Sequence, residues 1–147
     1  MHSRNYFIDT SALFKRYIEE TGTDVMDELF ASDANRFISA VTPLEVISNL
    51  RRLVDVDNLI TDEEFHLIKG IFLQDIAVNR LEIVELTPSL LINSLELCTE
   101  QYVTPLDALQ LTSALSMWEK PVFACSDKKL LQLASSKGLH TLDPTVL

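Results

Sequence analysis

Four acidic residues in this chain stand where carboxylates can be gathered for chemistry. Asp9 directly follows the apolar run Tyr6-Phe7-Ile8, and Asp127 closes Val122-Phe123-Ala124-Cys125-Ser126. Glu45 and Asp107 end a matched pair of segments, Thr42-Pro43-Leu44-Glu45 and Thr104-Pro105-Leu106-Asp107. An acid at the end of a buried strand, or at the head of the helix after one, stands at the carboxyl edge of a parallel sheet, where open α/β folds bind ligands. Carboxylates brought together there repel one another at low effective dielectric. Hard divalent cations that prefer oxygen ligands, Mg²⁺ or Mn²⁺, relieve that repulsion, and the lack of histidine in the set disfavours zinc.

Each acid also has a purely structural reading. Asp9 could cap the helix expected from Ser11, although Thr10 or Ser11 could supply the same cap and leave the acid surplus to structure. Thr-Pro-x-acid is a helix opening in which the acid meets a backbone N–H and the helix dipole. Thr61-Asp62-Glu63-Glu64 shows the same Thr-x-x-Glu pattern with no chemical motive, so Glu45 taken alone reads as structure. Asp107 differs because Ala108-Leu109-Gln110-Leu111-Thr112-Ser113-Ala114-Leu115 carries no charge, the mark of an enclosed helix. An acid at the head of such a helix is costly unless something positive meets it. Asp127 could cap the helix from Lys128. What points to a site is that all four fall at strand ends or at the starts of the following helices.

The elements that must position them follow from the apolar pattern. Strands are expected at Tyr6–Ile8, Phe37–Val41, Leu81–Val84, Val122–Cys125 and near His140–Leu142. Helices are expected over about Ser11–Glu20, Asp24–Ala31, Thr42–Leu53, Thr61–Asn79, Pro88–Gln101, Pro105–Trp118 and Lys128–Lys137. Short apolar strands alternating with amphipathic helices predict an α/β fold, a parallel sheet of about five strands with helices on both faces. With 147 residues, three glycines, five prolines and no linker-like stretch, one domain over residues 1–147 is expected.

Composition narrows the function classes. No apolar run approaches a membrane span, and Met1-His2-Ser3-Arg4-Asn5-Tyr6 contains no signal core, so a cytoplasmic protein is expected. Cys98 and Cys125 lie in apolar surroundings and read as two free, buried thiols. The net charge of −10 would repel a phosphate backbone unless metal ions or local basic patches intervene.

At Phe7-Ile8-Asp9-Thr10-Ser11-Ala12-Leu13, Glu45-Val46, Leu106-Asp107-Ala108-Leu109-Gln110-Leu111 and Ser126-Asp127-Lys128-Lys129-Leu130, the sequence resembles the PIN-domain family, especially its VapC-like toxin ribonucleases. The motifs occur in the family's order and span essentially the whole chain. The resemblance implies a sheet of order 3-2-1-4-5, one or two Mg²⁺ or Mn²⁺ ions and hydrolysis of RNA phosphodiesters. It matches Asp9, Glu45, Asp107 and Asp127 to the family's acids and Ser11 to a supporting hydroxyl. It also implies a homodimer, and an antitoxin partner whose basic tail enters the acidic pocket.

On this reading Asp9 and Asp107 would be direct metal ligands, with Asp127 and Glu45 completing the shell. Cleavage would leave a 5′-phosphate and a 3′-hydroxyl, since a metal-bound water would attack rather than the ribose 2′-OH. RNA contacts could come from Lys15 and Arg16, Arg51 and Arg52, and Lys128 and Lys129, whose bland alternative is a solvated helix face. Two rivals stay open. One is a non-catalytic PIN-like binding module. The other is a receiver-type phosphotransfer domain, which would need a lysine closing a late strand where this chain has Cys125-Ser126-Asp127.

Overall fold

The computed structural model describes residues 4–146, so both ends of the expected 1–147 unit lie outside the described residues. The strands are β1 (Asn5–Ile8), β2 (Asn35–Ser39), β3 (Glu82–Val84), β4 (Val122–Ala124) and β5 (Thr141–Leu142). The helices are α1 (Thr10–Tyr17), α2 (Thr23–Ala31), α3 (Thr42–Asp55), α4 (Asp62–Ala77), α5 (Pro88–Glu100), α6 (Pro105–Ser116) and α7 (Lys128–Ser136). The sheet has the order β3-β2-β1-β4-β5, and every pairing is parallel. Strand order reverses between β1 and β4, which sets the ligand crevice beyond Ile8 and Ala124.

Both faces of the sheet are covered, and the strands show it by alternation. Ile8 and Ala124 belong to one core with Leu13, Met26, Leu50 and Phe72, from α1 to α4. Phe7 and Phe123 belong to the other with Leu97, Leu111, Leu130 and Leu133, from α5 to α7. Successive side chains on a strand point to opposite faces, so each two-residue step feeds both cores. Phe7 and Phe123, paired in register, stack with centroids 5.8 Å apart. Truncating either fully buried ring to alanine would cost roughly 3–5 kcal/mol.

One buried charge fixes α4 to the α1 side of the sheet. Asp75 is fully buried and accepts hydrogen bonds from Arg16 Nε at 3.0 Å, Tyr17 Oη at 2.6 Å and Arg80 Nη1 at 3.1 Å. Burial pushes its carboxyl up, but the bonds from Arg16 and Tyr17 and the Arg16 charge outweigh it, and its pKa lies below the ordinary range.

Several element ends differ from the sequence expectation. β2 stops at Ser39 instead of running to Val41, because Ser39 Oγ accepts the Val41 N–H at 3.2 Å and turns the chain early. α1 ends at Tyr17 instead of Glu20, since Ile18 is extended and the Glu20 N–H is taken by Thr23 Oγ1. Cys125 is buried as expected, whereas Cys98 is exposed. The buried stripe of α5 is Leu90, Ser94 and Leu97, and Cys98 falls one residue past it. Among the described residues no helix is long and apolar enough to cross a membrane.

Candidate functional site

Asp9 follows β1 directly, and its N–H donates to Ala124 O at 3.0 Å, which extends the β1–β4 pairing to the site itself. The sequence left the cap of a helix from Ser11 open between Asp9, Thr10 and Ser11. The structure starts α1 at Thr10 and makes Asp9 the cap, its Oδ1 accepting from Ala12 N at 3.1 Å. Both hydroxyls serve the acids instead. Ser11 Oγ donates to Asp9 Oδ1 at 2.8 Å and accepts the Ser126 N–H at 3.1 Å, tying the ends of β1 and β4 together. Thr10 Oγ1 donates to Glu45 Oε1 at 2.9 Å. The cap uses one carboxylate oxygen of Asp9.

The matched Thr-Pro openings behave differently. Thr104 is the N-cap of α6, with its Oγ1 accepting from Asp107 N at 3.3 Å. Thr42 is not a cap: Val41 occupies that position without a side-chain bond, and Thr42 lies fully buried inside α3. The early turn at Ser39 moves the helix start, and the Thr42 hydroxyl faces Gln110 instead. Gln110 Nε2 lies 3.0 Å from Thr42 Oγ1, 3.0 Å from Thr10 Oγ1 and 2.9 Å from Glu45 Oε1. One amide thus links α1, α3 and α6.

Asp127 caps α7, its Oδ1 accepting from Lys129 N at 2.9 Å and Leu130 N at 3.2 Å. Asp9, Glu45, Asp107 and Asp127 all line one open cavity of about 190 Å³, together with Thr10, Ser11, Asn49 and Gln110. Asp9, Glu45 and Asp127 each commit one carboxylate oxygen to these bonds. Among the described residues the second oxygens of Glu45 and Asp127 accept no hydrogen bond, and Asp107 receives only the Thr104 hydroxyl.

The electrostatics are those of unrelieved acids. Asp9 is 4% exposed, and burial raises its pKa to about 6, opposed by bonds from Ser11 and Ala12 and reinforced by the Asp107 charge. Burial likewise raises Asp107, opposed by Thr104 and reinforced by the charges of Asp127 and Glu45. Cys125 is pushed up by burial and by the Asp9 charge, so its thiol stays protonated and inert.

The donor set suits a hard dication: carboxylate oxygens from four segments, free of nitrogen and sulfur ligands. Among the described residues no three acidic, His or Cys side chains already converge on one point at ligand distance. Asp9 is buried, whereas Asp107 is half-buried and Asp127 exposed.

The basic candidates separate. Lys15 is buried and pairs with Glu20 at 3.0 Å, while Arg16 is held by Asp75. Arg51 pairs with Asp55 and Asp62, and Arg52 lies 3.7 Å from Asp57. Lys128 and Lys129 are exposed beside Asp127, and neither forms an ion pair among the described residues. Sequence reasoning missed Gln110, Thr10, Thr42 and Asn49 as site residues. A signal for Gln110 existed: it is the one amide in the uncharged stretch Ala108–Leu115 and lies at i+3 from Asp107, on the same face.

No curated protein matches the chain in sequence. Solved structures match its fold. FitAB bound to an IR36 DNA fragment superposes with a TM-score of 0.68 at 12% identity, covering 97% of this chain and 96% of that one. FitAcB from Neisseria gonorrhoeae gives 0.67 at 13% identity, with 97% and 99% covered. VapBC-1 from nontypeable Haemophilus influenzae gives 0.64 at 13% identity, also with 97% and 99% covered. The PIN domain model matches residues 6–135, a span that holds all four acids, and the chain belongs to the PIN-domain family.

Proposed function

We propose that this protein is a Mg²⁺- or Mn²⁺-dependent endoribonuclease whose active site is the cleft of Asp9, Glu45, Asp107 and Asp127. The observation that carries the reading is the disposition of the carboxylates. Four acids from separate segments line one cavity at the carboxyl edge of the sheet, with a desolvated Asp9 among them. PIN domains are generally nucleases, and this chain keeps an acid at every position the sequence motifs marked.

Asp9 and Asp107 would hold the metal, with Asp127 and Glu45 completing or orienting the shell. When bound, a dication supplies an acidified water and offsets charge on the phosphoryl group. The chain's own residues do the positioning. Ser11 and the Ala12 N–H hold one oxygen of Asp9, which aims the other, while Thr10 and Gln110 do the same for Glu45. The backbone bonds that fix Asp127 Oδ1 leave its second oxygen for the cleft. A receiver-type phosphotransfer reading has no support at β4, where the chain continues through Cys125, Ser126 and Asp127 with no lysine.

The reading extends to partners. The site is four acids in a chain of net charge −10, and an inhibitor bringing an Arg or Lys into the cleft would meet paired carboxylates. The VapBC-1 fold neighbour supports an antitoxin partner. A homodimer remains part of the proposal, as does a place in the cytoplasm.

Cleavage of a 5′-labelled single-stranded RNA tests the core of it. Activity with Mn²⁺ or Mg²⁺, its loss in EDTA, 5′-phosphate products and inactive Asp9→Asn and Asp107→Asn proteins are expected. Products ending in 2′,3′-cyclic phosphate, or full activity in EDTA, would rule the mechanism out.

A further inference from the structure

The acidic cleft does not end at Asp107 and Asp127. The same two residues line a second cavity of about 160 Å³, whose other walls include Tyr102, Lys129, Leu130 and Leu133. Tyr102 and Lys129 go on to line a further depression outward along α7. Leu130 and Leu133 are 3% and 8% exposed, so the base of the cavity is the apolar core itself. Tyr102 is 91% exposed, a large aromatic side chain held out of that core at the rim. Lys129 has no acidic partner among the described residues, in contrast to Lys15, Arg16 and Arg51.

We propose that this second cavity is a nucleotide subsite, holding one unpaired base of a single-stranded nucleic acid against Tyr102 while Lys129 pairs with an adjoining phosphate. The inference rests on the nuclease reading above, since it places the base beside the reacting phosphodiester. The chemistry fits the lining. An apolar base with an aromatic rim offers a nucleobase a face to stack on, which is how single strands are gripped without regard to sequence. A chain of net charge −10 needs a local cation where the backbone enters, and Lys129 supplies one beside the acids. The cavity has room for one flat ring, and a base inside a duplex is already stacked on its neighbours, so the subsite selects unpaired segments.

The test uses the full chain carrying Asp9→Asn, with fluorescein-labelled octauridylate, octathymidylate and an abasic octamer of the same backbone, read by anisotropy in Mg²⁺. Adding Tyr102→Ala should weaken octauridylate binding on the order of 5- to 100-fold, and Tyr102→Phe should restore it to within about twofold by the same stacking logic. The abasic octamer should be indifferent to Tyr102 and weakened by Lys129→Gln. Because Tyr102 is exposed, these substitutions leave the fold intact. Octauridylate binding more tightly than octathymidylate would assign the subsite to RNA, and the reverse order to DNA. If Tyr102→Ala binds octauridylate as Tyr102 does, or loses equal affinity for the abasic octamer, the stacking subsite is wrong. Cleavage is scored separately. Wild-type cleavage that is lost in Asp9→Asn keeps the nuclease reading whatever Tyr102 does. Cleavage that survives Asp9→Asn overturns that reading, and the Tyr102 affinity difference still decides the subsite.

Discussion

Gln110 Nε2 donates to Glu45 Oε1 at 2.9 Å from a side chain that is 2% exposed, so a carboxylate on α3 is aimed by an amide on α6. The amide also reaches Thr10 and Thr42, and its own Oε1 is buried without a partner. An unsatisfied buried oxygen costs free energy, which is tolerable where the other end of the group is functional. The expected consequence is coupling. Gln110→Leu should weaken Mn²⁺ binding, measured by calorimetry, and should have almost no further effect once Glu45→Gln is present. A double-mutant cycle reads this directly, with an interaction on the order of 0.5–3 kcal/mol expected for residues in one network. Strict additivity would mean that Gln110 acts on the fold and not through Glu45.

The raised pKa of Asp9 makes a prediction about stability without metal. Its carboxyl titrates at about 6 in the folded chain, against about 3.9 in an unfolded one. Between those values the native state holds a proton the unfolded chain has released, so stability is highest near pH 4 and falls as pH rises to about 6. Asp107, also raised, adds to the fall, whereas Asp75 is lowered and acts only at more acid pH. Asp9→Asn keeps the helix cap, because Asn caps as well as Asp. In EDTA the variant should therefore gain on the wild type as pH rises from 4 to 7, by on the order of 2–3 kcal/mol. Urea melts at several pH values measure the difference. A gap that stays constant with pH would show that Asp9 is not desolvated as described.

The two Thr-Pro openings looked alike in sequence and should separate in experiment. Thr104→Ala removes a cap from α6 and should cost roughly 0.5–2 kcal/mol with or without Mn²⁺. Thr42→Ala removes no cap but takes an acceptor from Gln110, so its larger effect should fall on Mn²⁺ affinity. Thermal melts with and without Mn²⁺ distinguish the two. Equal metal-independent losses would return Thr42 to a purely structural role.

That contrast also shows how far the sequence carried. The sheet, its helical cover and the clustering of acids were legible because they depend on apolar periodicity and on where strands end, both local properties. The role of Thr42 was not legible, since one bond from Val41 N to Ser39 Oγ decided where α3 begins. The site's polar network was hidden for a related reason. Gln110 meets Thr10 and Thr42 across sequence separations of 100 and 68 residues, and no pattern in either segment encodes the meeting. The basic residues were the weakest inference, because a lysine beside an acid in sequence says nothing of which acid it pairs with. Lys15 found Glu20, and Arg16 found Asp75.

Asp75 provides the control that separates scaffold from site. It is as buried as Asp9, yet it is surrounded by Arg16, Tyr17 and Arg80, and its pKa moves down where that of Asp9 moves up. A buried acid with donors on every side is structural, and removing Arg16 takes away its bidentate partner and leaves the charge to the half-exposed Arg80 and the Tyr17 hydroxyl. Arg16→Ala should therefore cost about 3–5 kcal/mol of stability, the same with Mn²⁺ and without it. Paired loss of Asp75 and Arg16 to apolar residues of similar size should cost less than either single change, since the buried charges leave together. Mn²⁺ affinity per folded molecule should not change in any of these variants. If Arg16→Ala instead lowered Mn²⁺ affinity while leaving the melting temperature untouched, Arg16 would belong to the site and the division drawn here between scaffold and cleft would be wrong.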